Sequence, residues 1–548
     1  MTRPDAAEPK SGPVDAGAGL ADTADAMGRR HLRGSSLLLA GRLASLAFTV
    51  ATQVIIVRTL TKSDYGGFAL ALTIASASRL LLSLGQGKTL SRFLAIHVEQ
   101  RNWGRLYGSV LIAVTTVLVT GGLLIGVLFA LRGQLVGFVV DSNEAATVLL
   151  IVVLLAPMEA LDQIFVSIFA VLTKPRSIFF RKYIVTPALR LTVVLTVAAL
   201  DGSVTALAIG YVSAQVLGLV LYVVMLRSVL SEQGLLSELR WKRLSWPVRS
   251  VMTFAVPMLS TELVYLSMNT GSVLLLSHFW GAVEVADLRA VVPAVTLNKI
   301  VYSTFITLYL PMASRLFARG DHDRLRADYW RTAAFLAVAS FPLYAMTGPF
   351  APATTVFLFG ERYEGSAVIL AILSTGYYLN SALGFNMVTL QAYGRVRFLL
   401  VVNLACAIGN LALTLLLVPR FGAYGVAVAG CATLIVQNLS NQFGLRRTLR
   451  TALVDRGYVW TYVSLAVAIS ALFLVRVLLH PGLVAALLLT ALVTVALLAV
   501  NRPALALGES FPELRRVPGL RWFVSGAPST SVDDAGAATP HKRDSSAP

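Results

Sequence analysis

The chain has 548 residues, 56% of them hydrophobic and only 14% charged, with a mean hydropathy of +0.73. That balance lies outside the range of water-soluble globular chains and excludes a soluble enzyme, a disulfide scaffold or a nucleic-acid-binding domain, leaving an integral membrane protein. The formal charge of +18 is therefore a question of where cations sit relative to the membrane, not a nucleic-acid footprint.

In chain order, residues 1–34 are polar and rich in Ala, Gly, Pro and Asp, which predicts a disordered cytoplasmic N-terminus. The stretch is too long to be the n-region of a cleavable signal peptide, so the first apolar run reads as an uncleaved anchor. From 35 to 500 we read fourteen apolar runs of roughly 17 to 27 residues, the length an α-helix needs to cross ~30 Å of hydrocarbon. They fall at 35–57, 67–86, 107–129, 146–171, 183–200, 204–226, 250–276, 290–312, 329–347, 366–390, 398–417, 424–445, 460–479 and 483–500. The alternating ten-residue strands of a membrane β-barrel are absent from the pattern. Residues 501–548 resemble the N-terminus in composition and are predicted to be disordered in the cytoplasm. Cys406 and Cys431 lie inside spans and read as small packing residues.

Basic residues alternate between connections. The even ones, with the span edge at Arg331, carry 24, among them Arg92, Arg105, Arg181, Lys182, Arg315 and Arg446, while the odd ones carry only Arg58, Lys62, Arg132, Arg289, Arg362 and Arg420. The positive-inside rule then puts both termini in the cytoplasm, and the high Arg to Lys ratio points to a GC-rich bacterial genome, hence a bacterial inner-membrane protein.

Sliding the chain against itself by 220 residues brings special positions together. Arg58 meets His278, Asp64 meets Glu284, Arg79 meets Lys299, Glu144 meets Glu364, Gly202 meets Gly422 and Gly210 meets Gly430. At an offset of 223, Ser91, Arg92 and Ala95 meet Ser314, Arg315 and Ala318. A six-helix unit preserves topology, so the repeats run parallel about an axis along the membrane normal. The predicted fold is an all-α integral membrane protein of about 14 transmembrane helices. Two parallel six-helix bundles, 35–226 and 250–445, form a central cleft; 227–249, with Trp241 and Trp246, links them along the cytoplasmic face, and 446–500 adds a C-terminal helical hairpin.

Ionisable side chains inside spans are costly and mark cavities or partners. The deep ones are Arg42, Arg79, Glu159, Asp162, Arg190, Glu262 and Lys299. Arg79 and Lys299, about twelve and nine residues from the outer ends of their spans, put a cation on each wall of the cleft, suited to an anionic headgroup; otherwise each pairs with an intramembrane acid. Arg42 and Arg190 are further candidates for such a cationic cavity, although Arg42 equally suits a pair with Glu262, its partner at the 220 offset. Glu159 and Asp162, spaced i, i+3, share a helix face and read either as a proton or Na+ coupling site, with Glu262 as a further candidate, or as salt-bridge partners of Arg190 or another base. Asn269, Asn298, Asn380, Asn386, Asn403 and Asn410 read mainly as interhelical hydrogen-bond donors. Gly85-Gln86-Gly87-Lys88-Thr89 lacks the first glycine and the strand of a phosphate loop, and the six histidines have no metal-ligand spacing. No catalytic or metal site is expected, and no cofactor beyond H+ or Na+ as a coupling ion.

The segment Arg58-Thr59-Leu60-Thr61-Lys62-Ser63-Asp64-Tyr65-Gly66-Gly67-Phe68-Ala69, followed by Leu84-Gly85-Gln86-Gly87 and Ser91-Arg92-Phe93, resembles the first two helices of the polysaccharide transporter group. That group comprises the Wzx-type O-antigen and capsule flippases of the multidrug/oligosaccharidyl-lipid/polysaccharide (MOP) superfamily. Phe254-Ala255-Val256-Pro257 and Phe421-Gly422-Ala423-Tyr424-Gly425-Val426-Ala427 are similar to it too, and the resemblance covers about 35 to 500. One departure lies after span seven, where relatives often show Gly-x-x-x-x-Gly-x-Tyr and this chain has Gly281 followed by Ala286-Asp287-Leu288. The resemblance implies a carrier, not an enzyme. It moves polyprenyl-pyrophosphate-linked oligosaccharide from inner to outer leaflet through a cationic cavity, with membrane lipids, a polysaccharide polymerase and glycosyltransferases as partners and no nucleic acid. The alternatives are a multidrug/cation antiporter of the same superfamily, a lipid II flippase, or a non-transporting membrane scaffold acting through its tails.

Overall fold

The computed structural model describes residues 41, 44–84, 86–135, 142–172, 179–232, 234, 245–246, 248, 266–449 and 455–505. Candidate residues Arg42 and Glu262, residues 1–34, most of the 227–249 linker including Trp241, and the tail from 506 onward lie outside them. The described residues are overwhelmingly helical and contain no strand.

The first half comprises α1 (Ala44–Thr59), α2 (Lys62–Leu82), α3 (Gln86–Glu99), α4 (Trp103–Ala130), α5 (Asn143–Val171), α6 (Phe179–Ala199) and α7 (Val204–Glu232). The second comprises α8 (Ser272–Leu297), α9 (Ile300–Ala318), α10 (His322–Thr347), α11 (Ala351–Phe359), α12 (Ser366–Ala382), α13 (Asn386–Ala392) and α14 (Val396–Leu449). The hairpin α15 (Val459–Leu479) and α16 (Leu483–Val500) follows. Helix starts are set by side-chain caps: Thr61 accepts from the Asp64 N–H, Asn102 from Arg105 and Asp321 from Arg324, each satisfying a backbone donor the helix cannot use itself.

By length and composition eight helices can cross a membrane, eleven if each of three bent pairs is one span. Three of the fourteen expected spans are not separate helices of this kind among the described residues. Spans eleven and twelve run together in α14 across a kink at Gly422 (φ 54°). Span one is described from Ala44 only, and the described end of span seven continues into span eight through Gly281 (φ 75°), forming α8. Span eight therefore starts at Ala282, and Arg289, expected in a connection, sits within a helix. Spans two and eight are each broken, into α2 and α3 and into the post-Gly281 part of α8 and α9. The apolar helix α11, bent 65° from α10, falls where a loop was expected. Of the expected C-terminal tail, 501–505 instead end in a helical turn whose Leu505 is buried.

Proline places two further irregularities. Pro157 cannot donate to the preceding turn, and α5 loosens at Val153–Leu154 just ahead of it. Pro187 does the same to α6, whose first seven residues, Phe179–Val185, are π-helical; Thr186 Oγ1 donates to the Arg181 carbonyl at 3.1 Å in compensation.

The largest apolar cluster spans both halves, joining Val57, Phe68 and Val152 to Leu276, Val291 and Phe359. Its spine is the pairing of α2 with α8, the most extensive helix–helix contact among the described residues. Gly66 permits it: a Cβ there would overlap the Ala282 carbonyl. The hairpin packs through Leu465, Leu472, Ala486 and Leu497 on Phe341 and Tyr344 of α10, so it belongs to the second half. Leu118, Leu123, Leu217, Val224, Leu474 and Leu492 stay exposed, an apolar perimeter suited to lipid.

Candidate functional site

The two halves are fastened at the end of the molecule where α2 begins. Lys62 Nζ lies 2.7 Å from Asp287 Oδ1 of α8, which also accepts from Ser366 Oγ at 2.8 Å. Arg58, at the end of α1, donates from Nε to the Leu358 carbonyl at 3.0 Å and also bonds the Phe357 carbonyl, while Arg362 reaches back to the Val57 carbonyl. Each arginine thus caps the C-terminal carbonyls of a helix in the opposite half, where the helix dipole favours a cation. These polar contacts between the two halves cluster at one end. From here α2 and α8 lead away toward the breaks in spans two and eight.

Arg79 and Lys299 sit at those breaks. Arg79 is in the last turn of α2, 17 residues after Lys62 and 20 before Glu99; Lys299 is 17 residues after Ala282 and 19 before Ala318. The sequence places them at unequal depths because the span starts are misjudged; in the structure their positions along the two helices are equivalent. Each lies by a helix C-terminus whose carbonyls partly offset its charge. Buried Asn298 shapes the second break, its Nδ2 donating to Thr347 Oγ1 at 2.9 Å and to Ser374 Oγ at 3.3 Å, and its carbonyl accepting from Ser381.

The two walls differ. In the first half, Glu159 of α5 is shared by two guanidiniums: Arg190 Nη2 of α6 donates to Oε1 at 3.0 Å, and Arg79 Nε lies 3.5 Å from Oε2. These three side chains are 26–33% exposed. Arg190 Nη2 also donates to Gln215 Oε1 of α7 at 3.3 Å, and Gln215 Nε2 donates to Asp162 Oδ1 at 3.5 Å. Asp162 is paired with Arg181, whose guanidinium is 1% exposed, stacks 4.0 Å over the Tyr222 ring and donates from Nε to the Gly218 carbonyl. Three arginines against two carboxylates leave this network one positive charge in excess.

In the second half, Lys299 is exposed and stands 4.0 Å from the centre of the Tyr377 ring, with no acid partner among the described residues. At the 220 offset, Glu159 and Asp162 correspond to Leu379 and Ala382, so the cation recurs and its counter-ions do not. The structure therefore brings Arg79, Arg190, Glu159 and Asp162 into one cluster, with Lys299 at the equivalent place in the other bundle. Arg181 was missed because Arg181-Lys182 sits at the edge of an apolar run and reads as a loop; Thr186-Pro187, which predicts a disturbed helix start, was the available signal. Among the described residues no group of three or more His, Cys, Asp or Glu is placed to hold a metal.

The chain matches the model of a family described as polysaccharide biosynthesis protein over residues 55–368, more than half its length, and belongs to that family. An uncharacterized membrane protein of Methanocaldococcus jannaschii is 29% identical over 157 residues, which is 28% of this chain and 30% of that relative. Among solved structures, the lipid II flippase MurJ in an inward closed conformation superposes with TM-score 0.65 at 14% identity, over 86% of this chain and 99% of that one. An inward-facing multidrug resistance MATE family transporter of the MOP superfamily gives 0.59 at 13% identity, over 74% and 94%. At such identities the likeness is one of fold, an all-helical one shared with these two proteins.

Proposed function

We propose that this multi-pass membrane protein flips polyprenyl-pyrophosphate-linked oligosaccharide from the inner to the outer leaflet of the bacterial cytoplasmic membrane, for cell-surface polysaccharide biosynthesis. Membership of a polysaccharide biosynthesis family and the fold shared with a lipid II flippase support this reading. The observation that carries it is the placement of Arg79 and Lys299 at equivalent positions along α2 and α8, two helices from opposite halves that pack on each other. A sugar headgroup bearing pyrophosphate cannot cross hydrocarbon unaided, because unpaired polar groups cost several kcal/mol each and charge costs more. A cationic, partly exposed cleft lowers that barrier, and an inside-negative potential favours outward movement of negative charge by about 2.3 kcal/mol per charge per 100 mV.

Orientation follows from the loop charges. With the Lys62/Asp287 end outside, the conformation is closed to the exterior, in keeping with the better superposition on the inward-facing MATE structure (0.59) than on an outward-facing one (0.50). The fastening at Lys62, Arg58 and Arg362 is then the contact that breaks when the bundles rock.

The test is the lipid extract of cells lacking the protein, complemented with wild type or with Arg79→Ala/Lys299→Ala. Cytoplasmic-side accumulation of polyprenyl-pyrophosphate oligosaccharide, relieved by wild type and not by the double variant, is expected. Drug sensitivity without accumulation would instead identify a cation antiporter, and loss of function on deleting only the tails would identify a scaffold.

A further inference from the structure

The network on the first wall contains two kinds of ion pair, and the difference between them has functional content. Asp162–Arg181 is a structural pair: the guanidinium is buried, stacked on Tyr222, bonded to a backbone carbonyl and matched to one acid. Glu159 is arranged otherwise. Its two oxygens are divided between guanidiniums on two different helices, one contact is long at 3.5 Å, and all three side chains are a quarter to a third exposed. Its partners also have donors to spare, since Arg190 Nε is buried without a hydrogen-bond partner. A carboxylate that engages one nitrogen on each of two arginines leaves most of their fork unused, whereas phosphate oxygens can take both edges of a guanidinium.

The geometry points to Glu159 as an internal placeholder for the pyrophosphate, a specificity-determining group of the cavity; this rests on the flippase reading. Without substrate it neutralises Arg79 and Arg190, which would otherwise repel each other in a partly desolvated site. On loading, the pyrophosphate takes the two guanidiniums and Glu159 is displaced, which limits affinity so that the headgroup can leave on the far side. Charge balance fits: Arg79, Arg190 and Lys299 less Glu159 leave two positive charges, matching the two negative charges of a pyrophosphate diester. No such counter-ion corresponds to Glu159 on the second wall, where the 220 offset gives Leu379.

The experiment is calorimetric titration of full-length protein in lipid nanodiscs with inorganic pyrophosphate. Removing the competitor in Glu159→Gln is expected to tighten binding about tenfold, the scale of one charge-assisted hydrogen bond gained. Adding Arg79→Gln or Arg190→Gln to that background is expected to abolish the gain. Glu159→Asp, which keeps the charge but cannot span both guanidiniums, is expected to tighten binding to a smaller degree and serves if Glu159→Gln does not fold. Unchanged or weaker affinity in a folded Glu159 variant overturns the placeholder and leaves the flippase reading standing. Absence of pyrophosphate binding in wild type and every variant, with binding of a lipophilic cation instead, overturns both.

Discussion

At the scale of single residues, the first bundle is organised by charges that differ in what surrounds them. Arg181 is sealed, so its charge is tolerable only while Asp162 faces it. Asp162→Asn is therefore expected to destabilise the protein by about 3–5 kcal/mol, read as a lowered melting temperature in detergent, whereas replacing both partners with apolar residues is expected to cost much less. A neutral response to Asp162→Asn would contradict the structural role. The sequence made Arg79, Lys299, Glu159, Asp162 and Arg190 visible because each interrupts an apolar run. It could not show that Glu159 is shared between Arg79 and Arg190, because that depends on how α2, α5 and α6 pack. Arg181 and Arg289 read as loop cations for a different reason: each lies within two residues of an expected span boundary, where a cation normally belongs to a loop.

At the scale of elements, the informative features are the breaks. Hydropathy shows where apolar residues run, and it is blind to whether the helix carrying them is continuous. It therefore missed the division of spans two and eight, the helix α11 in an expected loop, and the fusion of spans eleven and twelve into α14. Gly422 holds that fusion at φ 54°, ψ −132°, outside the conformations open to residues with a Cβ, and a Cβ there would lie 2.8 Å from Glu284 Oε2. The Glu284 carboxylate in turn accepts the Ala423 N–H at 2.9 Å, satisfying a donor at the start of the next helical segment. Gly422→Ala is expected to cost about 1–3 kcal/mol in backbone strain alone and to lose this cap as well. Thermal unfolding of the purified variant beside Glu284→Gln checks it, with Gly422→Ala the more damaging of the two. The 220 offset pairs Asp64, in the first turn of α2, with Glu284, just after the Gly281 kink of α8, and Gly202, just before α7, with Gly422 at the kink of α14.

At the scale of the whole molecule, two bundles meet along α2 and α8, and the conformation depends on how closely those helices approach. Gly66→Ala places a methyl group against the Ala282 backbone, which cannot yield, and is expected to push the Lys62/Asp287 end apart. Spin labels at the exposed positions Thr59 and Glu361 are expected to report a larger population of long distances in this variant; an unchanged distribution would contradict a fastening at that end. Asp287→Asn, which removes the ion pair and leaves the packing, is expected to shift the same distribution less, since a partly exposed pair contributes about 1 kcal/mol or less. The measurement that bears most directly on the account is a flipping assay in proteoliposomes loaded with polyprenyl-pyrophosphate oligosaccharide. Wild type is predicted to move the lipid across the bilayer, faster with a potential negative on the side of origin, and Arg79→Ala/Lys299→Ala is predicted to fold and to lose that movement by at least about tenfold, corresponding to 1.4 kcal/mol of barrier. Equal flipping by wild type and the folded double variant would contradict the cationic cavity.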